Sequence, residues 1–104
     1  MIVDVRTYTL IPRRLTKYLG LFEQHALPVM QRHGLELMGY YVSHIGPLNQ
    51  VVHLWRYESL ADMEKKRAAR DADPAWGAFQ ALTEGMILMQ DNKVMRPASF
   101  SPVS

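Results

Sequence analysis

The segment Gly46-Pro47-Leu48-Asn49 followed by Gln50 to Glu58 limits what this chain can fold into more than any other stretch. Glycine, proline and asparagine supply the backbone conformations of a reversal. Immediately after them Val51, His53, Trp55 and Tyr57 alternate with Val52, Leu54 and Arg56, the period of a strand with two distinct faces. Residues 35 to 45 alternate as well, with Leu35, Leu37, Gly39, Tyr41, Ser43 and Ile45 on one side and Glu36, Met38, Tyr40, Val42 and His44 on the other. Two strands joined by so short a connection pair as an antiparallel hairpin.

The rest of the chain supplies partners for that hairpin. Residues 2 to 10 alternate Val3, Val5, Thr7, Thr9 with Ile2, Asp4, Arg6, Tyr8, Leu10, so a strand is expected there. Its second set carries an acid, an arginine and a phenol, which suits a wet cavity or an interface better than a face under helices. From Pro12 onward Leu15, Tyr18, Leu19, Phe22, Ala26, Met30 and His33 recur at helical spacing. Pro28 removes a backbone donor and predicts a kink near Gln24 to Leu27, and Gly34 stops the helix. Ser59 with Asp62 reads as a capping box opening a second helix, and Asp73-Pro74 reads as a fresh start within it. Ala75, Trp76, Phe79, Leu82, Met86 and Met89 extend the helical pattern, with Asn92 as its stop and Lys93 to Arg96 as a short last strand. The tail after Pro97 is a loop in which Phe100 is the docking candidate. The order β-α-β-β-α-β is that of a ferredoxin-like α+β fold with a four-stranded antiparallel sheet, as a single domain over residues 1–104.

At this length a sheet covered by helices on one face leaves its other face wet unless a second subunit covers it, so a homodimer is expected. A net charge of +2 is too small to point to nucleic acid. The basic run Lys65-Lys66-Arg67-Ala68-Ala69-Arg70 is diluted by Glu64, Asp71 and Asp73 and reads as a solvated helix face, with Arg67 near a cavity mouth as the alternative. Without cysteine there is no disulfide framework, thiolate metal site or cysteine nucleophile. His25, His33, His44 and His53 show no metal-ligand spacing, and there is no phosphate loop or nucleophile elbow, so no cofactor or metal is called for. Neither a signal peptide nor a membrane-spanning apolar run is visible, which makes the cytoplasm the expected compartment and a membrane partner unexpected.

Four separated motifs carry a family resemblance. These are Asp4 to Leu10, Gly46 to Ser59, Asp73-Pro74-Ala75-Trp76, and Arg96-Pro97-Ala98-Ser99-Phe100-Ser101-Pro102. In this order and over nearly the whole chain they resemble the NIPSNAP family. The resemblance implies a dimeric α+β barrel, in which two ferredoxin-like sheets face each other with helices outside and a cavity in each half. It implies no defined chemistry. Eukaryotic relatives are linked to vesicle traffic and mitochondrial quality control, but the long N-terminal extension of those relatives is not seen here, so these roles are not carried over. Folds of this kind also serve cofactor-free monooxygenases of aromatic substrates, haem-degrading enzymes, haem dismutases and lactone isomerases, an analogy of fold alone.

Six side chains are the candidates for a ligand site: Asp4, Arg6 and Tyr8 from the first strand, and His53, Trp55 and Tyr57 from the third. Converging, they would bind a flat apolar or aromatic molecule, with the rings as walls and Arg6 as anion anchor. Within an enzyme, a cofactor-independent monooxygenase or isomerase of an aromatic or conjugated substrate, His53 would be the acid/base group near neutral pH and Arg6 would stabilise developing charge. The bland alternative makes Trp55 and Tyr57 core or interface packing and Asp4 and Arg6 a pair across the sheet. A third reading, a protein-interaction module presenting its helices, rests on the eukaryotic relatives. Everything depends on which way the third strand faces.

Overall fold

The computed structural model describes residues 1–103. Its elements are β1 (Ile2–Leu10), α1 (Leu15–Leu21), a π-helical turn (Phe22–Ala26), α2 (Leu27–Arg32), β2 (Glu36–Val42), β3 (Gln50–Tyr57), α3 (Leu60–Ala72), α4 (Pro74–Leu82) and β4 (Ile87–Met95). The strands form one antiparallel sheet in the order β2-β3-β1-β4, the ferredoxin-like arrangement expected from the sequence. The hairpin closes through Gly46 and Asn49, both at positive φ.

Pro28 acts as the sequence implied. It occupies the first turn of α2, and the lost backbone donor is accommodated by the wide π-helical turn just before it. Gly34, at φ 78°, ends the helical run. Ser59 accepts the Asp62 backbone N–H at 3.1 Å, while the Asp62 carboxylate accepts the N–H of Glu58, the residue before the cap, at 3.0 Å. Asp73 caps α4 through the Ala75 N–H and also accepts from Arg32 at 2.8 Å and bonds His33 at 2.8 Å, which ties the end of α2 to the start of α4.

Four expectations are corrected. The last helix ends at Leu82 instead of running to Asn92, because Gly85 at φ 75° turns the chain and residues from Ile87 onward pair with β1. Strand β2 is shorter than residues 35 to 45, and a bulge at Met38 shifts its register. Leu37 and Tyr40 therefore share a face, opposite Trp55 and His53, whereas strict alternation separates them. Phe100 does not dock, being 80% exposed. Finally, the face of β1 bearing Asp4, Arg6 and Tyr8 does lie under the helices. Tyr18, Phe22 and Phe79 pack above the same face that holds His53 and Trp55.

The sheet consequently has two unlike sides. Under the helices run the rows Tyr40–His53–Arg6–Asn92, Leu37–Trp55–Asp4–Val94 and Val42–Val51–Tyr8–Gln90. The opposite side carries Gly39–Leu54–Val5–Lys93 and Tyr41–Val52–Thr7–Asp91, with no helix across it among the described residues.

Candidate functional site

Between the sheet and the α4 side of the helical layer lies a cavity of about 710 Å³, within the usual range for small-molecule sites. All six candidate residues, Asp4, Arg6, Tyr8, His53, Trp55 and Tyr57, line it. Tyr18 and Phe22 from α1 and the π-helical turn, and Trp76 and Phe79 from α4, form the facing wall. Arg67 and Arg70 of α3 also line it.

The polar groups are organised by strand spacing. Asp4 and Arg6, two apart on β1, project the same way, and an Arg6 Nη donates to Asp4 at 3.0 Å. Arg6 Nε donates to the Tyr8 hydroxyl at 2.8 Å, and Asn92 donates to the other Asp4 oxygen at 3.4 Å. The Asp4 and Arg6 pair is thus made along one strand instead of across the sheet. Burial acts to lower the Arg6 pKa, but Tyr8 and Asp4 outweigh it and the guanidinium is held charged more firmly than usual.

On β3 the Trp55 indole N–H donates to His53 Nδ1 at 2.7 Å. An indole nitrogen only donates, so Nδ1 must be a bare acceptor and the ring proton must sit on Nε2. Burial, reinforced by the Arg6 charge, pulls the His53 pKa down to about 4 against the weaker opposing pull of Asp4. The imidazole is neutral at pH 7 and its tautomer is fixed. A histidine held in this way presents Nε2–H as a hydrogen-bond donor.

Tyr40 and Tyr18 belong to the same environment, although sequence spacing assigned them elsewhere. Tyr40 stacks on the His53 ring at 4.6 Å with planes 13° apart, and Tyr8 meets that ring edge-on at 4.8 Å. Burial raises the Tyr40 and Tyr18 pKa values, and nearby tyrosine hydroxyls, Tyr18 and Tyr8 for the first and Tyr8 for the second, push the same way, so both phenols keep their protons. Among the described residues, two buried side-chain polar atoms have no hydrogen-bond partner, Tyr40 Oη and His53 Nε2. An orphaned donor under a helical layer costs about 1–3 kcal/mol. His44 lies exposed in the hairpin loop, and His33 serves the Asp73 cap.

Comparisons with known proteins agree with this fold. The NIPSNAP family model matches residues 3–102. The chain is 32% identical to Protein NipSnap of Drosophila melanogaster over 101 residues, 97% of this chain and 36% of that protein. It is 30% identical to human Protein NipSnap homolog 2 over 102 residues, 98% of this chain and 35% of that protein. It therefore spans about a third of the length of these relatives. Among solved structures, a NIPSNAP family protein with unknown function from Agrobacterium tumefaciens superposes with a TM-score of 0.94 at 38% identity, covering 100% of this chain and 94% of the other. A NIPSNAP domain protein from Burkholderia xenovorans gives 0.92 at 27% identity, covering 98% and 99%. A candidate antibiotic biosynthesis monooxygenase from Bacteroides thetaiotaomicron gives 0.71 at 18% identity, covering 99% and 92%, a likeness of fold alone.

Proposed function

The chain belongs to the NIPSNAP family, and we propose that it is a homodimeric binding protein that takes a small apolar or aromatic molecule into the cavity between its sheet and helices. The observation that carries this reading is the cavity's composition. Asp4, Arg6 and His53 sit beneath a helical layer, where aliphatic side chains would pack more favourably, and aromatic rings surround them. Polar groups in such a place suit a ligand that reaches them. The binding unit is residues 1–104, and the proposed compartment is the cytoplasm; no described helix is long and apolar enough to cross a membrane. The open side of the sheet, with Val3, Val5, Val52 and Leu54, supports pairing with a second copy.

The catalytic alternative, a cofactor-independent monooxygenase or isomerase, needs a proton acceptor, and the one imidazole lone pair of His53, on Nδ1, is taken up by Trp55, so binding is the better-supported function. The test uses the uncharged dye N-phenylnaphthylamine, whose emission rises in apolar surroundings, and native mass spectrometry on the same sample. A dimer mass with saturable dye uptake is expected. Gln80→Trp, at an exposed lining position on α4, should weaken dye uptake by roughly tenfold by filling the cavity. A stable monomer would remove the dimer, and dye uptake indifferent to Gln80→Trp would remove the cavity as the site.

A further inference from the structure

The polar groups of the cavity are unbalanced in a way that specifies the ligand's chemistry. Asp4 is the acidic group at the deep end, and both its oxygens are engaged, one by Arg6 and one by Asn92. Tyr8 already accepts from Arg6 Nε, and its own O–H is given to no protein partner. His53 Nδ1 is occupied by Trp55, which leaves Nε2–H. Arg6 has N–H groups beyond the two that are used, and the Tyr18 hydroxyl keeps its proton. Each of these groups carries an unspent donor. A ligand that offered acceptors would meet several of them at once.

Charge points the same way. Arg6, Arg67 and Arg70 line the cavity against Asp4 and Asp71. Arg6 is matched by Asp4, and Arg70 by Asp71 at 2.8 Å while it lies over the Trp76 ring at 4.2 Å. Arg67 has no ion-pair partner among the described residues. The surplus is one positive charge beside walls of Trp55, Trp76, Phe22 and Phe79.

We infer that the ligand is an aromatic or conjugated carboxylate whose ring lies among Phe22, Trp55, Trp76 and Phe79 and whose oxygens accept from Tyr8, His53 Nε2 and Arg6. This rests on the cavity being the binding site and adds the charge and hydrogen-bonding polarity of what binds. A carboxylate satisfies several donors at once, and charge-assisted bonds of this kind are stronger than neutral ones.

Three probes of the same ring size separate the possibilities: naphthoate, methylnaphthalene and naphthylmethylammonium, titrated by quenching of tryptophan emission. Naphthoate should bind about tenfold or more tighter than methylnaphthalene, the equivalent of one charge-assisted hydrogen bond, and the ammonium should bind weakest. Tyr8→Phe should cut naphthoate affinity severalfold and leave methylnaphthalene unchanged. Because removing Arg6 alone strands the Asp4 carboxylate, the paired change Asp4→Asn with Arg6→Gln is the second variant, and it should abolish the preference for the anion. If naphthoate and methylnaphthalene bind equally, or the ammonium binds best, the inference is overturned while the cavity stands as a binding site. If none of the three binds, the binding function fails as well.

Discussion

The two sides of the sheet blur the usual division between covered and open surfaces. The side under the helices sets Asp4, Arg6 and His53 among Tyr8, Val51, Trp55 and Tyr57, whereas the side without helices sets Val3, Val5, Val52 and Leu54 among Thr7, Arg56, Asp91 and Lys93. In a sheet covered on one face only, the covered face is ordinarily apolar and the open face polar. The buried polar groups are not explained by better stability, since they gain little over apolar packing. The arrangement makes sense if each side awaits a different surface, a ligand for the covered side and a second sheet for the open one. Around the open face Tyr41, Met89 and Met95 are 60%, 66% and 52% exposed, so its rim is apolar too.

The most severe test of that contrast is a charge placed on the open side. Leu54→Glu sits mid-face between Gly39 and Val5, and a dimer built on this face should weaken by roughly a hundredfold or more, because the carboxylate would be desolvated without a partner. Analytical ultracentrifugation reads the change, and a dimer that persists at low concentration would place the interface elsewhere. Next in size is Asp4→Ala on the covered side. Asp4 is 1% exposed, and its loss leaves a half-buried guanidinium without its carboxylate, costing about 3–5 kcal/mol in urea unfolding. Glu58→Ala, which removes one of the two exposed carboxylate partners of Arg56, should leave the midpoint nearly unmoved. Similar losses from the two changes would erase the distinction between the sides.

How much of this contrast was readable beforehand depends on whether backbone or composition governs each feature. Strict alternation in β1 and β3 correctly grouped Asp4, Arg6 and Tyr8 and, separately, His53, Trp55 and Tyr57, because neither strand is interrupted where they pair. Which way that face points is a tertiary matter, decided by where the helices settle. The bulge at Met38 has one mark in residue type, the adjacent Gly39, an isolated strand glycine, and it turns Tyr40 onto His53. Tyr18 was hidden for another reason. A tyrosine at core spacing on a helix reads as packing, and its hydroxyl is informative only once Tyr8 is known to lie nearby. The misplaced end of α4 had a visible signal in Gly85, but Met86 and Met89 happened to continue the helical spacing past it.

The covered side should also respond to acid in a way the open side does not. His53 is neutral in the fold, with its pKa pulled down to about 4, while in the unfolded chain it takes a proton near pH 6.5. The unfolded state therefore binds more protons between those values. The stabilising contribution is fully present above about pH 6.5 and is lost as the pH falls toward 4, by about 3 kcal/mol in total. Urea midpoints measured from pH 7 to 4 give the slope, and His53→Phe should flatten it. A slope that survives this substitution would assign the acid sensitivity to other groups.

One further effect is the most discriminating, because its sign is opposite to the others. Tyr40 Oη is buried without a partner, and Tyr40 is not among the residues lining the cavity, so its hydroxyl is set apart from ligand as well as from protein. Tyr40→Phe removes the orphaned group and keeps the ring stacked on His53. The expected outcome is a gain of up to about 1 kcal/mol in unfolding free energy, since a polar group desolvated without a bond is a net cost, with unchanged affinity for naphthoate. A loss of stability would mean that the hydroxyl is bonded, and a loss of naphthoate affinity would mean that the ligand's oxygens reach past His53 to the next strand. Either result would move the polar end of the site one position along the row Tyr40–His53–Arg6, which is the resolution needed to fix how a ligand lies across the sheet.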